Sequence, residues 1–400
     1  MTLRISTAAL HNQGLQGLLK RQADVARTQQ EMVTGSKLLR AADNPTGAAQ
    51  AQRLDHAVSM LAGFERGATM LQNRLELQES ALSDSGDLLG RVRDLTVQAN
   101  NASLSPAERR MIAVEVRQLR TDLLAVANRE DGTGRSLFAG RRDDVRPFVE
   151  SGGSVSYMGD DGRNLLDVAP DLALADTDPG SDVFMRVRTG DGTVRGTAAP
   201  ANTGNALLQG TSVVDHGAWS GGAMRIEFTA ANAYRVLDTT GAVLSTGSFA
   251  SGESITVGGV QTRLSGTPEA GDTFTLERAP ARDIFGTLDA LVGALEMPVA
   301  SAAERARQVN LLGSALADVS TAQDHMLALR AGTGARLAAL DNTMDAREAQ
   351  NVSLRTSLSQ LRDLDYAEAT TKLSLQLTAI EAAQRTMLRV QSLSLFDRLG

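Results

Sequence analysis

Cysteine is absent from all 400 residues, so disulfides, thiolate chemistry and cysteine-based zinc sites are excluded outright. That absence leaves the compartment open, because a reduced cytosol and a secreted protein without staples both permit it. Aromatic residues make up only 3%, with Trp219 the sole tryptophan, so a large core must come from Leu, Val, Ile, Ala and Met. Such a palette suits helix-on-helix packing, where straight and γ-branched side chains fit between turns. Long apolar runs are missing as well. No window approaches ~18 uninterrupted apolar residues, and the opening segment has no run of secretory-signal length. Any export is therefore expected to proceed without a cleaved leader. The net charge of -7 is spread without long single-sign blocks, which leaves no footprint for nucleic acid or an anionic membrane.

Catalytic inventory is equally thin. His11, His56, His216 and His325 form no i, i+4 pair and no metal-ligand spacing. "GTGRSLFAG" and "AGTGARL" contain Gly-x-Gly, but neither follows a strand and opens a helix in a βαβ unit. Asp176, Asp178 and Asp182 in "ADTDPGSD" have calcium-like intervals, yet Gly180 occupies the third ligand position and no bidentate Glu follows. No Gly-x-Ser-x-Gly elbow occurs. The expectation is no enzyme, no metal and no cofactor.

What the chain does have is heptad spacing at both ends. Leu18, Val25 and Met32 form one column, while Leu15, Gln22 and Gln29 form a half-polar second. "TGSKLLRAADNPTGA" then breaks the helix. Gly35 suits a stop, and Asn44 with Pro45 supplies a cap and a first helical position for a restart. The pattern continues to about Ala99, with Leu71, Leu75, Leu82, Leu89 and Val92 in register, a rod of roughly 80 Å at ~1.5 Å per residue. "SLSPAERR" reads as a capping box from Ser105 to Glu108, followed by the seam Ile112, Val116, Leu119, Leu123, Val126. The glycines of "REDGTGR" end that helix, which predicts an antiparallel pair.

Between Phe138 and about Pro280 glycine becomes frequent and the apolar period falls to two, as in Met224-Ile226-Phe228 and Phe274-Leu276. Helix returns with Ile284, Leu288, Leu291 and Leu295 on one face. Val309, Leu312, Leu316, Val319 and Met326 keep heptad step, are interrupted at "RAGTGAR", and give way to Leu337, Leu340, Met344, Leu354, Leu358 and Leu361. A last segment carries Leu373, Leu377, Ile380, Met387 and Val390. The fold class is mainly α with an all-β insert: a long antiparallel helical bundle or coiled coil formed by both chain ends, plus a central outer β domain. Three functions fit: a self-assembling structural protein, an enzyme or glycan-binding insert on a helical stalk, and a monomeric signalling coiled coil. Half-polar terminal seams favour the first, because unpaired amphipathic helices gain stability on assembly.

"LRISTAALHNQGLQGLLKRQADVARTQQEMVTGSKLLRAADNPTGAAQA", "LLGRVRDLTVQANN", "ANREDGTGRSLFAG", "LRDLDYAEATTKLSLQL" and "SLSLFDRL" together resemble the bacterial flagellin superfamily. The match covers about the first 140 and last 100 residues. Asp43-Asn44-Pro45 and Leu137-Phe138-Ala139-Gly140 followed by Pro147-Phe148 are more similar to the hook-filament junction members than to flagellin, the nearest rival. The resemblance implies a terminal coiled-coil domain from 1-33 and 366-400, disordered in the monomer, and a spoke linker at 34-45. It also implies a helical bundle from 46-145 and 282-365 and an outer β domain at 146-281. Implied partners are flagellin, hook-associated protein 1, copies of itself and an export chaperone, with export through the flagellar type III apparatus to the hook-filament junction. The expected assembly interface is Leu18, Val25, Met32, Leu373, Leu377, Ile380, Met387 and Val390, and the expected hinge is Gly35, Asn44 and Pro45.

Overall fold

A computed structural model of the chain describes the backbone of residues 7–396 and the side chains of residues 12–389. The "RIST" opening and the final "DRLG" thus fall wholly or partly outside the described residues, as do the side chains of His11 and Val390. The chain divides into two compact units, one of residues 1–66 with 343–400 and the other of residues 67–342.

The first unit holds α1 (Thr7–Thr34) and α6 (Tyr366–Phe396), the opening turns of α2 (Pro45–Ala99) and the closing turns of α5 (Ala302–Arg362). α2 starts where the sequence places its cap: Asn44 Oδ1 accepts from Gly47 N at 2.9 Å, and Pro45 is the first helical residue.

The second unit has two cores. In the helical one, α2, α3 (Pro106–Ala127), α4 (Ile284–Glu296) and α5 bury Leu82, Leu89, Ile112, Val116, Leu288, Leu291, Leu312 and Met326 together. The capping box forms as read, with Ser105 N donating to Glu108 Oε2 (2.7 Å) and Glu108 N to Ser105 Oγ (3.3 Å). Phe138, Phe148, Phe184 and Phe285 cluster at this core, with Phe138–Phe184 edge-on at 5.3 Å and Phe148–Phe184 at 5.4 Å. Gly180 lets this cluster close, since a Cβ there would lie 2.6 Å from the Phe148 ring and 2.7 Å from the Phe138 carbonyl. The Leu137–Gly140 and Pro147-Phe148 elements are therefore core pieces, flanked by the hairpins β1 (Phe148–Ser151)/β2 (Ser154–Tyr157) and β3 (Leu165–Ala169)/β4 (Leu172–Ala175).

The β core lies between β5 (Val187–Arg188) and β14 (Ala281–Arg282), which pair antiparallel and so bring the insert's two ends together. Within it, β6 (Val194–Ala198), β8 (Met224–Ala230), β9 (Ala233–Leu237), β10 (Val243–Ser248) and β13 (Thr273–Arg278) form a sheet ordered β10-β9-β8-β13-β6. A second sheet, β11-β12-β7, uses Ser254–Val257, Val260–Ser265 and Leu207–Val213. Alternating side chains of both, including Ile226, Phe228, Ile255, Val260, Leu264 and Phe274, share one core.

One expectation fails. α5 runs unbroken through "RAGTGAR". Gly332 and Gly334 stay helical because Thr333 between them is fully buried, its hydroxyl bonded to the Leu329 carbonyl (3.0 Å) and accepting from Gln78 Nε2 (2.7 Å). The Gln78 bond ties this stretch to α2 and offsets part of the ~1 kcal/mol that each glycine costs a helix.

Candidate assembly surface

Residues spaced seven apart on α1 return to one face because 3.6 residues make a turn. Val25 is 8% exposed, Leu18 and Met32 are half-buried on the same face, and Thr28 and Glu31 fill the positions between them. α1 packs against α6. Along α6 the less exposed residues run Ala369, Leu373, Gln376, Ile380, Ala383, Met387, stepping 4, 3, 4, 3, 4. Leu373, Ile380 and Met387 therefore lie on this seam, and Val390 continues the spacing on the α6 backbone. Leu377 lies off it, 45% exposed, because the seam passes through Gln376. Both helices carry further apolar side chains outward: Leu15, Leu19 and Val33 on α1, Leu375 and Leu388 on α6.

α1 stops at Gly35, whose φ of 70° is the left-handed conformation that glycine adopts without a Cβ penalty. The following linker is bonded to the break between α5 and α6. Lys37 N donates to the Arg362 carbonyl (2.9 Å) and Leu364 N to the Gly35 carbonyl (3.0 Å), with Ser36 and Asp363 forming an antiparallel bridge. Tyr366 Oη donates to the Met32 carbonyl at 3.1 Å, and Arg27 pairs with Glu31 (3.0 Å) and Asp43 (3.5 Å). Sequence spacing flagged the glycine and the cap but not this two-sided clasp, whose partners are more than 300 residues apart. The linker expected at 34–45 is thus held at its start by reciprocal ladder bonds.

The chemistry-bearing motifs of the second unit are satisfied by protein groups. Arg74 is buried between Asp176 (2.8 Å) and Asp131 (2.7 Å). Burial raises the Asp176 pKa, with the Arg74 guanidinium opposing. Asp178 accepts from Gln78 Nε2 (2.9 Å) and pairs with Arg163 (3.2 Å) and Arg336, while Asp182 pairs with Arg163 and Arg186. The calcium-like trio is thus held by guanidinium groups. His325 Nε2 meets the Asp182 carbonyl at 2.9 Å; His56 and His216 are exposed. Asp318 on α5 accepts from Gly190 N (2.7 Å) and pairs with Arg195 of β6 (2.8 Å), fastening the β core to the helix; its burial raises its pKa. Among the described residues no helix is long and apolar enough to cross a membrane, and no cluster of three His, Asp or Glu is arranged to hold a metal ion.

Comparison with known proteins finds flagellar subunits, with filament proteins matching over about 30% of the chain and junction proteins over most of it. Residues 5–143 match the bacterial flagellin N-terminal helical region and residues 316–399 the bacterial flagellin C-terminal helical region. The chain is 22% identical over 396 residues to flagellar hook-associated protein 3 of Escherichia coli K12, covering 99% of each. A crystal structure of Xanthomonas campestris FlgL superposes with a TM-score of 0.72 at 43% identity, covering 76% of this chain and 99% of that one. The hook-associated protein 3 structure from Legionella pneumophila superposes with a TM-score of 0.73 at 27% identity, covering 78% and 98%. Flagellin-type helical ends, the buried Leu137–Gly140 and Phe148 elements and the β core between β5 and β14 occur in one chain that spans nearly all of these junction proteins: it belongs to the flagellar hook-associated protein 3 (FlgL) family of the bacterial flagellin superfamily.

Proposed function

We propose that this chain is a structural subunit at the hook-filament junction of a bacterial flagellum, where copies of it form a layer between hook-associated protein 1 and flagellin. The α1–α6 pair carries the reading. Its inner seam is closed within one chain, yet it displays Leu15, Leu19, Val33, Leu375, Leu377 and Leu388 outward. Apolar stripes on both helices of a two-helix unit are what further helices cover in a multi-stranded coiled coil. Leu18, Val25, Met32, Leu373, Ile380 and Met387 hold the pair, and Leu377 belongs to the outer face. Residues 1-33 with 366-400 form the terminal assembly domain, 34-45 the joint to the bundle of 46-145 and 282-365, and 146-281 the insert, whose first part packs on the bundle and whose β core between β5 and β14 is the outer domain. Gly35, Asn44 and Pro45 shape that joint.

The role is mechanical, with no reaction, metal or cofactor. Export as an unfolded chain through the flagellar type III apparatus, with a cytoplasmic chaperone on the C-terminal helix, fits a sequence with no disulfide to form. Immunolabelling of intact flagella tests the assignment. Label confined to the hook end of the filament supports it, and label along the filament replaces it with a flagellin.

A further inference from the structure

The seam of α5 changes character before it reaches the linker. Positions stepping 4, 3, 4, 3, 4, 3 along it hold Leu340, Met344, Arg347, Asn351, Leu354, Leu358 and Leu361. Arginine and asparagine stand where the pattern calls for leucine. Arg347 is only 8% exposed. Its Nε makes a long bond to the Thr343 carbonyl of its own helix (3.4 Å), and its Nη1 has no hydrogen-bond partner. Asn351 Oδ1, one turn on, is likewise buried without a donor. Burial lowers the Arg347 pKa, with Glu65 of α2 opposing. Buried polar groups in native structures nearly always find a hydrogen-bond partner, so two orphans one turn apart call for one that is missing from the isolated chain.

Both residues line an open cleft of about 500 Å³ within the first unit, walled by Leu61 and Glu65 of α2 and by Met344 and Val352 of α5, with the two orphan atoms buried at its floor. The unmet donor and acceptor together select the visitor. A carboxylate only accepts, so it leaves the Asn351 oxygen unmet, and it would face Glu65, Asp345 and Glu348, which line the cleft together with Arg355. A lysine only donates. A primary amide does both: its oxygen accepts from Arg347 and its nitrogen donates to Asn351. The outward stripe of α1 offers that group with matching apolar flanks. Leu15, Leu19, Gln22, Ala26, Gln29 and Val33 step 4, 3, 4, 3, 4 and are all exposed, with Leu19 at 54% and Val33 at 86%.

We propose that the Arg347–Asn351 cleft is a docking site for the outward stripe of α1 from a second copy of this chain, a glutamine amide at Gln22 or Gln29 completing both orphan bonds. The inference rests on the self-assembly reading and names the surface that one copy offers the next.

The absence of native cysteine makes the test clean. Asn351→Cys is combined with Gln22→Cys or Gln29→Cys in the full chain, and thiols are oxidised in purified flagella and in dilute secreted subunit. Covalent dimers in flagella alone, from either double variant and from no single variant, are the expected result. Double variants that enter flagella but stay monomeric, or that cross-link within one copy in dilute solution, overturn it. Arg347→Met gives an independent reading should the double variants fail to enter. The inference expects an unchanged or higher thermal midpoint for the isolated subunit and an at least tenfold loss of retention at the junction. A lowered midpoint with normal retention makes Arg347 a support within its own chain and overturns the inference. Unaltered subunits labelling along the whole filament would sink the junction assignment while leaving the cross-link result standing.

Discussion

Replacing Gly35 with alanine should loosen the terminal helices while sparing the rest of the molecule. At φ 70° an alanine adopts the left-handed conformation at a cost of roughly 1–2 kcal/mol. Its Cβ would sit 3.3 Å from Tyr366 Oη, closer than ordinary packing, and would disturb the bond from that hydroxyl to the Met32 carbonyl, worth ~0.5–1.5 kcal/mol. A stiffer unfolded chain returns about 0.5–1 kcal/mol. The net loss is about 0.5–3 kcal/mol, or roughly a 2- to 160-fold increase in local opening. Hydrogen exchange read by mass spectrometry should show that increase in residues 12–34 and 366–389, with residues 67–342 unchanged. Gly35→Asn, which tolerates the left-handed region better, should fall between the two. Equal exchange in the alanine variant and the parent, or faster exchange throughout residues 67–342, refutes the clasp as a fastening that adds to the α1–α6 seam.

Other outcomes follow from single contacts. Met387→Asp places a charge on the α1–α6 seam and should abolish retention at the junction while leaving the 67–342 unit with its normal thermal transition; normal incorporation would remove Met387 from the interface. Arg74→Met strands two buried carboxylates and should destabilise the second unit by about 3–5 kcal/mol in denaturant unfolding, with a loss under about 1 kcal/mol counting against the ion-pair account. Tyr157, half-buried, has its hydroxyl between the carbonyls of Phe138 and Asp160 and its pKa pushed up to about 12, chiefly by burial. The folded state thus holds that proton more tightly than the unfolded chain, so its stabilising contribution is intact below pH 10 and fades as pH rises from 10 towards 12. Ultraviolet titration should show one tyrosine ionising late, and Tyr157→Phe should erase that step. Ser105→Ala should cost ~0.5–2 kcal/mol by opening the capping box of α3, measurable as a lower thermal midpoint.

Local chemistry made much of this fold readable in advance. The cap at Asn44, the proline after it and the Ser105–Glu108 box are bonds between residues three apart, so a short stretch of sequence contains the whole interaction. The Leu18, Val25, Met32 column and the Met224-Ile226-Phe228 alternation are periodicities of the backbone itself. What stayed hidden depends on partners far along the chain. Thr333 turns a glycine-rich break into helix through Gln78, 255 residues away. Arg74 gathers two carboxylates from separate loops, and Ser36 finds Asp363. Leu377 illustrates a smaller limit: four residues after Leu373 is one of two ways for a stripe to continue, and only the packing on α1 selects Gln376.

The insert leaves and rejoins the helical bundle side by side at one rung, and α5 holds it a second time through Asp318 on Gly190 and Arg195 and Asn310 on Leu208 and Ala206. β5 and β14 pair side by side, Ala279 N donates to the Thr193 carbonyl at 2.9 Å, and Thr189 N reaches the Pro280 carbonyl at 3.1 Å. Whatever lies beyond that rung presents the helices with the same two chain ends, a fixed socket into which modules of different bulk can be plugged. A module of different bulk grafted at this doorway keeps helix register provided that the positions facing it on α5, Asp318 and Asn310, are given new partners or made apolar.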